Sequence, residues 1–149
     1  MTNQEVVDLL KKAYEDEIET VMNYLANSII LDGVSAEEIK ESLNADIQEE
    51  LNHAEMLGRR LKELDERPPA SYDFEARQES MQPPEDSTDV VSVIDGVIDA
   101  EKDAIETYRS IIEKADEAND PVTEDLAVQL LTDEESHHAE FKSFRKEFE

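Results

Sequence analysis

Apolar residues recur along this chain at intervals of three and four, the spacing that turns one face of an α-helix toward a core. Four stripes are present. The first runs Val6, Leu10, Ala13, Val21, Tyr24, and the second Ile39, Leu43, Ile47, Ala54, Leu57, Leu61, Leu64. The third runs Val90, Ile94, Val97, Ile105, Tyr108, Ile112, and the fourth Leu126, Leu130, Phe141, Phe144, Phe148. No segment shows the period of two that marks a strand. The pattern predicts an all-α chain with helices over about 3–32, 36–65, 88–117 and 121–148.

The helix breakers fall between the stripes. Thr2-Asn-Gln-Glu5 and Ser35-Ala-Glu-Glu38 read as capping boxes opening the first two helices. The first helix should stop near Asp32-Gly33. The third starts around Ser87 or Thr88, with Asp89 in a first turn where the helix dipole favours acid. Asp120 caps the fourth, with Pro121 at its first position. Links between helices one and two, and three and four, are short, so each pair forms an antiparallel hairpin. The segment of about 66–86 holds Pro68, Pro69, Pro83 and Pro84 and is long enough to run from one end of a bundle to the other. The expectation is one domain over residues 1–149, an antiparallel four-helix bundle with one long crossover between helices two and three.

Charge changes the picture of the surroundings. The net charge is −26, from 40 acidic against 14 basic side chains in 149 residues. Such a surface does not grip nucleic-acid phosphates and is repelled by anionic lipid. High charge with few aromatics also marks disordered chains, but 38% of the residues are hydrophobic and strictly periodic, so the chain folds beneath an acidic coat. Molar salt shortens the Debye length to roughly 3 Å, which suits that coat to a halophilic, salty cytoplasm. Without cysteine there is no disulfide, iron–sulfur cluster, Cys-based zinc site or thiol nucleophile. No run of 18 apolar residues spans a membrane, and the N-terminus lacks a signal-peptide layout, so a cytoplasmic location is expected.

Each stripe is interrupted near its middle by a charge: Glu17 on the first helix, Glu50 with His53 on the second, Glu101 on the third, Glu134 with His137 on the fourth. Taken singly, an acidic residue on a stripe of an acidic protein means little, and a lone core histidine is usually a satisfied one. The set is different. Glu17 to Glu50 and Glu101 to Glu134 both span 33 residues, and each histidine follows its glutamate by three, on the same helix face. Tyr24 and Tyr108 each lie seven residues after a first-helix-type glutamate. All four glutamates lie about 13 to 15 residues into their helices, so they meet at one level whichever way the helices run. Buried carboxylates persist only when paired, protonated or metal-bound. Few Lys or Arg lie on these faces, whereas two divalent cations would balance four carboxylates. One glutamate from each of two helices plus Glu-x-x-His from each of the others is the ligand plan of a carboxylate-bridged di-iron or di-manganese site.

These residues carry a resemblance. The segments "EDEIETVMNY", "EELNHAEML", "DAEKDAIETY" and "TDEESHHAEF" are similar to those of the ferritin-like superfamily, in its bacterioferritin and rubrerythrin branches, over nearly all the chain and least in the crossover. The resemblance implies that Glu50 and Glu134 bridge two metals, that Glu17 and Glu101 are terminal ligands, and that His53 and His137 complete one metal each. Tyr24 is implied as the neighbouring redox tyrosine, with Tyr108 in the symmetry-related place. Bacterioferritins carry a haem-ligating methionine after the second-helix glutamate; Leu51 stands there, so no haem is expected. Without cysteine there is no rubredoxin-like domain, and the 12 residues after His137 leave no room for a fifth helix. DNA-protecting mini-ferritins hold metal between subunits, whereas here one chain supplies the ligands. Glu135 and His138 also form Glu-x-x-His; the 33-residue repeat selects Glu134 and His137 and puts His138 on a flank.

The expected activity is ferroxidase: two iron ions bound together, manganese or zinc as substitutes, with Fe(II) oxidised by O2 or H2O2 in iron handling and protection from oxidative stress. Neutral imidazoles are needed, so affinity should fall as pH drops towards 6. The rivals are a rubrerythrin-like peroxidase or other di-iron oxygenase, and a bundle that only binds metal. An oxygenase needs a pocket beside the metals, and Ile18, Val21 and Ile105 are expected to crowd that layer. An apolar flank including Tyr14, Ile29 and Ile30 predicts a homo-oligomer.

Overall fold

A computed structural model describes residues 3–149. Four long helices, α1 (Gln4–Ile30), α2 (Glu37–Glu63), α3 (Val90–Glu117) and α4 (Pro121–Arg145), form an all-α bundle. A 3-10 turn (Val34–Ala36) leads into α2 and another (Lys146–Phe148) follows α4. Among the described residues there is no strand. The bundle is built from two hairpins, α1 on α2 and α3 on α4; α1 also lies against α3, while α2 and α4 touch little.

The helix ends show local chemistry outbidding pattern. Asn3, not Thr2, caps α1, its side chain accepting from the Glu5 amide; Thr2 lies outside the described residues. The Ser35 capping box is not formed: the 3-10 turn occupies that stretch, and Ala36 precedes α2 with no side-chain cap. Asp89 is the cap of α3, accepting from the Ser92 amide, rather than a first-turn residue. Asp120 caps α4 through the Thr123 amide, with Pro121 next, as expected. Asp65 and Asn119 take left-handed φ values of 62° and 56°, closing α2 and α3 with bonds from Glu66 N to Leu61 O and from Asp120 N to Ala115 O. The α3–α4 link is thereby only three residues. Phe148 lies beyond α4, in the terminal turn, and is exposed.

The core falls into two apolar clusters. One holds Tyr24, Leu31, Ile39, Leu43, Met81, Ile94, Val97 and Phe141; the other holds Val7, Leu10, Leu57, Leu61, Tyr108, Ile111 and Leu130. Between them lies the layer of Glu17, Glu50, His53, Glu101, Glu134 and His137, all buried.

The crossover is strapped to α1 by side chains the stripe pattern treats as surface. Buried Glu19 accepts from the backbone amides of Arg77 and Gln78, both at 2.8 Å, and buried Glu15 accepts from the Glu75 amide. Gln78 donates to Thr20 and accepts from Asn23, and Asn27 donates to the Met81 carbonyl. Further along, the chain presses on α3: a Cβ at Gly96 would stand 2.1 Å from the Ser80 carbonyl oxygen. Tyr14 is not part of an exposed flank, since it is half-buried with its ring against Gly58; Ile29 and Ile30 are exposed, together with Met22 and Leu25.

Candidate metal centre

The structure brings all six predicted ligand side chains to one place. Glu17, Glu50, His53 and Glu134 offer atoms lying within 4.8 Å of one another, and so do Glu50, Glu101, Glu134 and His137. The two groups share Glu50 and Glu134. Each remaining glutamate and histidine belongs to one group only. The paired hairpins produce this because each puts a glutamate from one helix opposite a Glu-x-x-His from the next.

Histidine geometry fixes which ring nitrogen faces inward. His53 Nδ1 lies 3.1 Å from Glu134 Oε1, 3.4 Å from Glu17 and 3.8 Å from Glu50. His137 Nδ1 lies 3.2 Å from Glu50 Oε1 and 3.9 Å from Glu134. The outward Nε2 atoms meet carboxylates, Asp133 at 3.0 Å for His53 and Glu49 at 2.9 Å for His137. Those acceptors hold the Nε2–H tautomer and leave Nδ1 free to ligate.

The tyrosines cross the bundle reciprocally. Tyr24 donates to Glu101 at 2.5 Å, and Tyr108 donates to Glu17 at 2.7 Å. Each reaches the polar layer from its own apolar cluster. Tyr108 is therefore placed as fully as Tyr24, which sequence reasoning ranked above it. Burial, then the Glu101 charge, raises the Tyr24 phenol well above its ordinary value; burial, then Glu17, does the same to Tyr108.

No Lys or Arg pairs with these carboxylates among the described residues. Burial, reinforced by Glu17 for each, drives Glu50 and Glu134 well above the usual carboxylate range. Burial would lift Glu17 too, but hydrogen bonding to Glu50 and His53, the His53 charge and the Tyr108 hydroxyl bring it below its ordinary value. Burial would lower the His53 imidazole, yet hydrogen bonding to Glu17, its charge and Asp133 outweigh that and raise it to about 9. His137 is raised as well, against its burial, by Glu101, Asp46 and Glu49. Four buried polar atoms of the layer have no hydrogen-bond partner: Glu17 Oε2, Glu50 Oε1, Glu101 Oε2 and His137 Nδ1.

A cavity of about 800 Å³ opens between α1, α3 and the crossover and reaches Glu17, Glu50, Glu101 and Glu134. Ile18, Val21 and Ile105 do not crowd it, because none lines it; small residues such as Thr20, Ala100, Ala104 and Thr107 face it instead. Its rim is charged, with Asp16, Asp103 and Glu106 beside Lys12, Lys102 and Arg77. The alternative register on α4 does not face the layer: Glu135 is exposed and paired with Arg109, and His138 lies on the α3–α4 flank near Ile105.

Sequence reasoning missed Asp46, Glu49 and Asp133. Glu49 and Asp133 immediately precede Glu50 and Glu134 and keep the 84-residue offset that relates the two hairpins, so extending the repeat by one residue finds them. Asp46 has no such signal.

Comparison with known proteins gives the same architecture. A profile of the ferritin-like domain matches residues 7–149. The bacterial ferritin of Neisseria meningitidis serogroup B is 31% identical over 137 residues, covering 92% of this chain and 83% of that protein, and the bacterial ferritin of Neisseria gonorrhoeae matches equally. The bacterioferritin of Rhodobacter capsulatus, solved with a metal-free dinuclear site and haem iron, superposes with a TM-score of 0.84 at 18% identity, over 99% of this chain and 88% of that one. The dodecameric thioferritin of Bacteroides fragilis, a bacterioferritin-related protein, superposes at 0.88 and 22% identity, with the same coverage. Among the described residues no helix is long and apolar enough to cross a membrane. The chain belongs to the ferritin-like family.

Proposed function

We propose that this protein is a ferroxidase of the ferritin-like family, which binds two iron ions and oxidises Fe(II) with O2 or H2O2. The carrying observation is the pair of four-residue groups sharing Glu50 and Glu134, with no Lys or Arg paired with them among the described residues. In this reading Glu17 and His53 would hold one metal, Glu101 and His137 would hold the other, and Glu50 and Glu134, which belong to both groups, would serve both. The donor set fits the group. The unpartnered Glu17, Glu50, Glu101 and His137 atoms are the ones a cation would satisfy, and carboxylate with imidazole suits iron, with manganese or zinc as substitutes.

Bound there, iron supplies one electron per ion to the oxidant. The chain's own residues do the rest. Asp133 and Glu49 orient the imidazoles through Nε2. Tyr108 and Tyr24 fix the terminal carboxylates, and Tyr24 stands ready to give a further electron and proton through its hydroxyl. The cavity admits small hydrated species. Its size would take an organic substrate, but among the described residues its lining is mostly charged and polar, with Asp16, Asp103 and Glu106 beside Lys12, Lys102 and Arg77, which suits hydrated ions.

The acidic coat reads as adaptation to a salty cytoplasm, and exposed Met22, Leu25, Ile29 and Ile30 support a homo-oligomer. Aerobic addition of Fe(II) tests the activity. Rapid oxidation by O2 supports ferroxidase; oxidation by peroxide alone moves the protein to the peroxidase class; stable ferrous loading makes it a metal-binding bundle.

A further inference from the structure

The two hairpins repeat one another with an offset of 84 residues. Glu17 answers Glu101, Tyr24 answers Tyr108, Glu49 answers Asp133, Glu50 answers Glu134 and His53 answers His137. The contacts obey the same two-fold relation: each tyrosine reaches the opposite terminal glutamate, and each histidine Nε2 meets the opposite helix's acid.

One residue breaks the relation. Asp46 on α2 answers Leu130 on α4, which is a core residue with 1% of its surface exposed. Asp46 is itself 8% exposed. Its Oδ1 lies 3.7 Å from His137 Nε2, and its Oδ2 is buried without a hydrogen-bond partner. Among the described residues no Lys or Arg pairs with it; acidic Glu140, Glu49 and Glu101 act on it, and His137 is the group of opposite sign beside it. Outside the layer His53 has two carboxylates, Asp133 and Glu49, within 4.8 Å, but both are half-exposed, so no buried carboxylate stands behind it. A buried carboxylate beside other acids is costly unless a cation stands near it. Asp46, Glu49 and His137 lie within 4.8 Å of one another, on the outer side of the Glu101–His137 position.

We propose that Asp46 makes the two metal positions unequal, so that the position held by Glu101 and His137 fills first and binds a divalent cation more tightly than the one held by Glu17 and His53. This rests on the two-metal reading above. Asp46 is a positioning residue: the His137 Nε2–H is donated to Glu49, and Asp46, 3.7 Å from the same nitrogen, adds buried negative charge behind the ring. Loss of outer-shell partners of ligating histidines typically weakens metal binding about 10- to 100-fold, which sets the size of the effect.

Cobalt(II) titration of the metal-free full-length protein, at fixed pH and in molar KCl, reads it by calorimetry and visible absorption. Wild type should bind two ions in separate steps about tenfold or more apart. Asp46→Asn should keep the fold and weaken the tighter step by about tenfold, leaving the weaker step in place. Asp46→Leu, which restores the residue found at the related position, should merge the steps. His137→Ala should abolish the tighter step and His53→Ala the weaker. Two ions bound at one affinity by wild type, or an unchanged separation in Asp46→Asn, overturns the inequality while leaving the two-metal reading standing. Wild type that takes up no cobalt overturns both.

Discussion

Lowering the pH should stabilise the metal-free protein and destabilise the metal-loaded one. His53 titrates at an ordinary value of 6.5 in the unfolded chain and at about 9 in the fold. The fold therefore holds that proton more tightly than the unfolded chain does. The stabilisation is complete below about pH 6.5 and is lost as the pH rises through 9. A separation of this size is worth at most about 3–4 kcal/mol at 1.36 kcal/mol per unit. Glu17 is lowered by the same Glu17–His53 attraction, so that attraction counts once, and about 2 kcal/mol is expected between pH 9 and pH 6. Raised Glu50, Glu134 and Asp46, the last at about 6, act in the same direction, since the folded state protonates first as pH falls from 7 towards 5. Glu17 reverses the trend only below its ordinary value of 4.5. With metal bound, the same protons compete with the ions, so acidification weakens the loaded state. Thermal unfolding followed by circular dichroism, in 2 M KCl to screen the surface, should show the metal-free midpoint rising by about 4–8 °C from pH 9 to 6, at 2–4 °C per kcal/mol. The zinc-loaded midpoint should fall over the same range. A metal-free midpoint that stays flat or falls would show that His53 and the carboxylates do not face one another as described.

Other expectations follow from single sites. Glu50→Gln replaces a carboxyl whose charged form burial and Glu17 oppose with an amide that never ionises, so the metal-free protein should be more stable than wild type at alkaline pH while metal uptake drops, checked by denaturant melts and metal analysis; a metal-free variant less stable than wild type at alkaline pH would count against the charge crowding. Tyr24→Phe and Tyr108→Phe should each cost about 1–3 kcal/mol by leaving a buried carboxylate oxygen unpaired; on aerobic iron addition, a tyrosyl signal by electron paramagnetic resonance that survives Tyr24→Phe argues against Tyr24 as donor. Gly96→Ala places a methyl 2.1 Å from the Ser80 carbonyl and should destabilise by about 1–3 kcal/mol despite alanine's better helix propensity, as calorimetry would show. Raising KCl from 0.1 to about 2 M should raise the melting midpoint, because 40 acidic groups face 14 basic ones.

Much of this architecture is one-dimensional. Helix positions follow from apolar spacing, and the hairpins follow from short links. The ligand layer was legible because a charge at the middle of an apolar stripe is expensive, and because six such positions kept matched spacings at Glu17, Glu50, His53, Glu101, Glu134 and His137. The register at Glu134 over Glu135 followed from the same repeat. Helix ends were less legible: neighbouring polar residues compete for each cap on differences of about 1 kcal/mol, so Asn3 took the start of α1, and the turn at Val34–Ala36 displaced Ser35 from the start of α2.

Apolar spacing alone settled which helix faces turn inward, since burial of a periodic face depends on where its apolar residues recur. Which partner each side chain meets came from the packing of distant segments. Glu15 and Glu19 sit among many acidic residues and look like solvent-facing charge, but the crossover folds onto them and offers its backbone amides. Ile18, Val21 and Ile105 are large and lie close in sequence to the ligands, yet all are half-buried and none lines the cavity over the carboxylates. Asp46 lies one turn before Glu50 without a repeat partner, and its meaning depends on His137 arriving from the other hairpin. Such contacts join segments far apart along the chain, and no local pattern encodes where the opposing backbone or ring will stand.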